Sequence, residues 1–203
     1  MTRLGRPLAM PVEDRKKEIY AAAERLFGER GYEKVTMSEI AAAAGMSKKT
    51  LYVQFSDKEA LLKALVASSY IWPENAFEEA PADPVRTLKS RLTVIADHVL
   101  SERHLKLCRL AIGESIGIAG LADTFYQMGI HTSRQSLIAT LEHIPASRRR
   151  VDLNASLLAD MLFGATVGKV MVDALLTGEV PDMHTIYAAI DQTVAALFVV
   201  RAE

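Results

Sequence analysis

Between Thr36 and Glu59 the chain starts a helix three times, and no other feature of the sequence narrows the fold as much. Thr36-Met37-Ser38-Glu39 has the form of a capping box, Ser47 stands as a fresh N-cap before Lys48, and Ser56-Asp57-Lys58-Glu59 repeats the box. In such boxes the hydroxyl accepts an orphan N–H of the first turn while the glutamate reaches back to the cap. Gly45 stops the first of these helices after two turns. The spacing therefore predicts two short helices joined at Gly45 and Met46, then a longer one through Leu61, Leu62, Leu65 and Val66 that ends near Pro73. A first helix from about Glu13 carries Ile19, Ala22, Ala23, Leu26 and Phe27 at helical spacing until Gly31. A long helix followed by two short ones across a turn is the helix-turn-helix arrangement.

The rest of the chain also reads as helix. Half of the 203 residues are hydrophobic, only 6% are aromatic, and the apolar/polar alternation of a half-buried strand is hard to find. The expected fold is all-α. The proline-bearing stretch ENAFEEAPADP reads as the boundary between two functional parts, and Asp83-Pro84 starts a helix that runs to about Leu100. Further helices are expected over 102–114, 121–143, 152–177 and 184–200, with a loop at Pro145 and Arg148-Arg149-Arg150. Residues 1–11 are read as a flexible basic arm, 12–56 as a helix-turn-helix head, and 57–203 as a connecting helix plus a larger helical domain.

Cys108 is the only cysteine, which excludes an intrachain disulfide and fits a reducing cytoplasm. MTRLGRPLAMP lacks an apolar signal core, and Asp160, Lys169 and Asp173 interrupt the most apolar later region, 153–176, so no membrane partner is expected. A net charge of -1 argues, as an average, against a nucleic-acid partner. The average hides a split: residues 1–63 hold 12 Lys+Arg against 9 Asp+Glu, a balance of +3, and residues 64–203 hold the other 12 against 16, a balance of -4.

The basic part contains SKKTLYVQFSDKE. On a helix opening after Ser47, Lys48 and Tyr52 share a face with Lys49 beside them, while Leu51 and Phe55 point to the core. Lysines, the Thr50 hydroxyl and a tyrosine suit a helix laid in the major groove of DNA, and Lys58 is placed like a further phosphate contact. The plainer alternative is a solvated lysine face with Tyr52 in the core; the capped pair of short helices favours the reading surface.

Residues 14–64 resemble the DNA-binding domain of TetR family transcriptional regulators. The likeness is carried by AAAERLFGERGYEKVT and MSEIAAAAGMSKKTLYVQFSDKEALL, above all by Ser47, Thr50, Leu51, Tyr52, Phe55, Lys58, Glu59 and Leu61. Gln54 stands where the family pattern often has a histidine. By this resemblance Thr36 and Lys58 are phosphate-anchoring positions, and Ser47, Lys48, Lys49, Thr50 and Tyr52 form the recognition set. Arg3 and Arg6 belong to a basic arm that reaches the adjacent minor groove. The resemblance further implies a homodimer on double-stranded DNA with an inverted-repeat operator, heads spaced roughly 34 to 36 Å apart, and repression relieved by a small-molecule effector. The stretch LCRLAIGESIGIAGLADTFYQMG is similar to the C-terminal domain of the AefR-like branch.

The helix expected over 152–177 is apolar nearly all round, so it must be covered on more than one side. Ala155, Ala159, Phe163, Gly164, Gly168 and Met171 on it, with Ile190, Val194, Leu197 and Phe198 on the last helix, are the expected dimer interface. Tyr70, Trp72, Phe77, His98, Cys108, Glu114, Phe125, Tyr126, Met128 and His131 are the expected lining of a cavity for a largely apolar effector. Two other readings stay open. One is a helical DNA-binding protein without an effector. The other is a metal-dependent enzyme, from the pairs His104/Cys108 and His98/Glu102 at one-turn spacing, although neither pair makes a closed ligand set. No nucleophile elbow or phosphate-cradling glycine loop is present, so neither an enzyme nor a cofactor is expected.

Overall fold

The computed structural model of the protein describes residues 11–70 and 83–200. Arg3, Arg6, Trp72, Phe77 and the helix end expected near Pro73 lie outside them. The regular secondary structure of the described residues is helical apart from one isolated bridge, and the chain divides into two compact units, up to Leu65 and from Val66 onward.

In the first unit, α1 (Val12–Arg30) buries the five residues expected of it, Ile19, Ala22, Ala23, Leu26 and Phe27, and Gly31 closes it at φ 81°. The Thr36 capping box forms as the sequence predicts and opens α2 (Met37–Ala43), after which Gly45, at φ 67°, makes the turn. Ser47 caps α3 (Lys48–Gln54), which buries Leu51 completely and Phe55 nearly so. The next helix, α4 (Lys58–Ser68), departs from expectation in its cap. Asp57 rather than Ser56 accepts the Ala60 N–H, at 2.7 Å, and the Ser56 hydroxyl donates to Asp57 at 2.7 Å. The unit boundary also falls later than the head end expected at residue 56, because Leu61, Leu62 and Leu65 of α4 are fully buried and belong to the first unit.

The second unit begins, after the last turn of α4, with α5 (Pro84–Val99), capped by Asp83, and α6 (Glu102–Glu114), capped by Ser101. Then come α7 (Leu121–Phe125), a π-helical turn (Tyr126–His131) and α8 (Thr132–Glu142), which together form one interrupted helix. The helix expected over 152–177 starts at Ala155. It consists of α9 (Ala155–Phe163), a second π turn (Gly164–Gly168) and α10 (Lys169–Thr177). By length and composition alone Ala155–Thr177 is long and apolar enough to cross a membrane, against the expectation from its charges. Its Leu158, Leu162 and Val167 nevertheless sit in the core of this unit. The last helix, α11 (Met183–Leu197), packs on α5 and contributes Ile186, Ile190 and Val194 to the same core, which also holds Leu88, Leu92 and Ile95 of α5 and Leu137 and Leu141 of α8. Each such leucine or isoleucine stabilises the fold by about 1.5 to 3 kcal/mol.

The helix expected to reach residue 200 stops at Leu197 because Phe198 turns extended, at φ -134° and ψ 156°, and bridges to Arg149. The arginine run explains why. Arg148 is buried, donating from Nε to Val199 O at 2.7 Å and from Nη2 to Asp83 at 3.0 Å; Arg149 donates to Ile144 O and Leu141 O; Arg150 donates to Phe198 O. What reads as a charged loop is a clasp that ties the end of α8 and the extended segment after α11 through their carbonyls.

Candidate nucleic-acid interface and small-molecule cavity

One face of α3 in the first unit is open to solvent. The Ser47 hydroxyl accepts the Thr50 N–H at 3.1 Å and lies 2.8 Å from the Thr50 hydroxyl, which fixes the start of the helix. Lys48 and Tyr52 project together one turn apart, the ammonium 5.7 Å from the ring centre, and the tyrosine is 44% exposed. The plainer reading that put Tyr52 in the core therefore fails. Lys48 and Lys49 are both exposed and neither is paired with a described carboxylate, whereas Lys16, Lys17 and Arg30 of the same unit pair with Glu13, Asp14 and Glu39.

Two anchoring positions are used differently from the expectation. Lys58 points inward: its ammonium donates to Tyr32 O at 2.9 Å and stands 4.1 Å from the Tyr32 ring centre. It thereby closes the end of α1 onto the start of α4 instead of facing a phosphate. Thr36 is exposed, but its hydroxyl is taken up by the capping box, donating to Glu39 at 2.8 Å and accepting the Glu39 N–H at 3.3 Å. The Thr36 hydroxyl and the Thr36 backbone N–H, each donating to the Glu39 carboxyl at 2.8 Å, with Arg30 at 2.8 Å, hold that carboxyl down at about 2.

The second unit encloses a cavity of about 270 Å³. Its walls come from Tyr70, Val99 of α5, His104 of α6, Phe125 of α7, Gly129 and Ile130 of the first π turn, Ser133, Arg134 and Leu137 of α8, Ala159, Asp160, Phe163 and Gly164, and Met171 of α10. Of the expected lining residues within the described chain, Tyr70 and Phe125 are brought to it. Cys108 stands one layer behind, fully buried and hydrogen-bonded to Tyr70, and His98 lies among the same rings, 4.9 Å from His104 and 6.4 Å from Tyr70. Glu114 is not part of the wall, and Tyr126, Met128 and His131 face outward. From the π turn itself it is Gly129 and Ile130 that line the wall, Gly129 standing four residues after Phe125.

Gly129 also has a steric role, since a β-carbon there would come within 2.4 Å of the Tyr70 ring. At the other side of the cavity Arg134 grips Asp160 through Nε at 2.7 Å and Nη2 at 3.0 Å, with Ser156 as a further partner of Nη2. Burial pushes His104 down to about 4 and Cys108 up to about 12, and raises Tyr70 beyond its ordinary value. The paired His/Cys spacing that suggested a metal belongs to this cavity wall. Among the described residues no three His, Cys, Asp or Glu side chains converge as a ligand set.

The expected dimer residues divide by burial. Ala159, Ile190, Val194 and Phe198 are buried in the subunit's own core; Ala155, Phe163, Met171 and Leu197 pack against it. Gly164 is exposed and Gly168 is half-buried. The apolar stripe that α9 and α10 expose is instead Leu157, Met161, Val172 and Leu176, and their one-turn recurrence is the signal that small-residue spacing obscured.

A capped, three-helix head with a free basic-aromatic face defines a helix-turn-helix DNA-binding domain. Residues 19–65 match the family model of bacterial regulatory proteins, tetR family. It is 34% identical over 100 residues to the HTH-type transcriptional regulator EthR of Mycolicibacterium smegmatis, an overlap of 46% of this chain and 45% of EthR. The chain thus matches less than half the length of that relative. Among solved structures it resembles a TetR transcriptional regulator from Agrobacterium tumefaciens, with 27% identity, TM-score 0.68, and 92% and 95% of the two chains covered. It also shares its fold with the flavonoid-responsive regulator FrrA, with 23% identity, TM-score 0.70, and 92% and 98% covered.

Proposed function

We propose that the protein is a cytoplasmic, dimeric repressor that binds an inverted-repeat operator through α3 and is released from it by a small, largely apolar effector held in the cavity of the second unit. The observation that carries the reading is the face of α3 on which Lys48, Lys49 and Tyr52 stand exposed and without acidic partners. A lysine pair left free on a rigid, capped helix suits phosphates and base edges, and the tyrosine adds a hydroxyl and a flat apolar surface. Ser47 and Thr50 serve this set by fixing the helix start. One such helix reads only a few base pairs, which is why two heads are needed.

Dimerisation is assigned to the exposed stripe of Leu157, Met161, Val172 and Leu176, beside which α11 packs with its outward Ala188, Ala195 and Ala196. The route of control follows from α4, shared by both units: Lys58–Leu65 lies in the first, the remainder in the second, and Tyr70, just beyond its end, lines the cavity. An effector that binds better to one position of α4 weakens operator binding by the same factor by which DNA weakens effector binding.

Selection of bound genomic fragments tests the reading directly: an inverted repeat with half-sites about one DNA turn apart is expected. Recovery of fragments with no shared sequence, or equal binding by a Lys48→Ala/Tyr52→Ala double variant, counts against it. For the dimer, Met161→Glu is expected to yield monomers in sedimentation, and a wild type that is monomeric at micromolar concentration removes the proposal.

A further inference from the structure

The cavity is not uniform along its length. Val99, Ile130, Leu137 and Phe163 give most of it an apolar wall, but Tyr70 and His104 bring hydrogen-bonding groups to one end. His104 is 3% exposed, its ring edge-on to Tyr70 at 5.0 Å, and its Nδ1 is buried with no hydrogen-bond partner among the described residues. Leaving a buried ring nitrogen unmatched is costly, and native folds keep few such groups. At neutral pH this end carries no charge, because burial holds His104, Tyr70 and Cys108 in their neutral forms. The cation on the wall, Arg134, is already engaged in both arms by Asp160.

We infer that the Tyr70–His104 end of the cavity is a subsite for an uncharged hydroxyl, phenolic or alcoholic, borne on a compact apolar body. This rests on the effector reading above and narrows it to a ligand class. A hydroxyl both donates and accepts, so it satisfies Nδ1 whichever tautomer the imidazole adopts. A carboxylate only accepts, and here it would be buried without a free cation. The volume of about 270 Å³ equals about nine waters of liquid, which sets the ligand at roughly ten non-hydrogen atoms. Nδ1 is buried, so the hydroxyl reaches it through a local shift of the rings packed on His104.

The test titrates the full-length wild-type protein with three probes of matched shape, 4-propylphenol, propylbenzene and 4-propylbenzoate, by calorimetry. The phenol is expected to bind about tenfold more tightly than propylbenzene, the worth of one buried hydrogen bond, with the benzoate weakest. In His104→Leu the phenol is expected to fall to the level of propylbenzene while propylbenzene itself still binds. Comparison of the three probes on the wild type decides the matter even if that variant does not fold. Equal binding of phenol and propylbenzene, tighter binding of the benzoate, or no binding of any probe overturns the inference. Each of these leaves gel-shift binding to selected genomic fragments unchanged, so the subsite can fail without the regulator reading failing with it.

Discussion

Two runs of basic residues, Lys48-Lys49 in the first unit and Arg148-Arg149-Arg150 in the second, look alike in the sequence and differ in every physical respect once folded. The lysines stand on a capped helix with exposed side chains and no acid beside them. The first arginine is buried against Asp83 and Val199 O, and its two neighbours close the carbonyl ends of nearby segments. Charge density alone therefore does not mark a nucleic-acid surface. What marks it is charge whose partners the fold has withheld.

Breaking the arginine clasp should have the largest effect. Arg148→Ala leaves Asp83 and the Val199 carbonyl without their partner and should cost about 3 kcal/mol of unfolding free energy, measured by urea denaturation, with operator affinity per folded protein unchanged. The next effect is one of pH. The unfolded chain protonates His104 near its ordinary 6.5, whereas the buried ring resists down to about 4. Stability is thus complete above 6.5 and is lost as pH falls toward 4, by about 3 kcal/mol in all. Denaturation curves at pH 7.5 and 5.0 should separate in the wild type and draw together in His104→Leu.

On the lysine side the effects move from folding to binding. Lys48→Ala or Tyr52→Ala should weaken operator binding by about 1 to 3 kcal/mol, the lysine change also lowering the salt slope by about one. Their thermal midpoints should match the wild type. Lys58 tests the contrast from within the head: tied to Tyr32 O, Lys58→Met should lower stability by about 1 kcal/mol and leave the salt slope alone. A reduced slope would return Lys58 to the phosphate-contacting set. The smallest effect is expected for Ser47→Ala, about 1 kcal/mol or less of head stability, read from the head's melting.

The head was legible because its determinants are local. Thr36, Ser47 and Gly45 act on backbone groups within a few residues, and the five core positions of α1 recur at helical period, so sequence order and spatial order coincide. Asp57 rather than Ser56 as the cap of α4 is a one-residue slip of the kind helix ends allow. The second unit resisted for the opposite reason. Which faces of Ala155–Thr177 and of α11 are inner depends on how these helices pack with α5 and α8, so Ala159, Ile190 and Val194, expected at a dimer interface, are core. Of the expected lining residues within the described chain, only Tyr70 and Phe125 face the cavity, because its wall is assembled from side chains of several distant helices.

The sequence by itself determined an all-helical chain, the order of its helices, the capped start of α3 and the residues on its free face. Those features follow from hydrogen bonds and periodicities that span one or two turns. Only the tertiary structure decided that Lys58 and Arg148 face inward, that His104 and Tyr70 meet edge-on at one end of a cavity, and that Leu157, Met161, Val172 and Leu176 remain uncovered. Each of these depends on which distant carbonyl, ring or helix face arrives opposite a side chain, and the placement of distant groups is a property of the packed core.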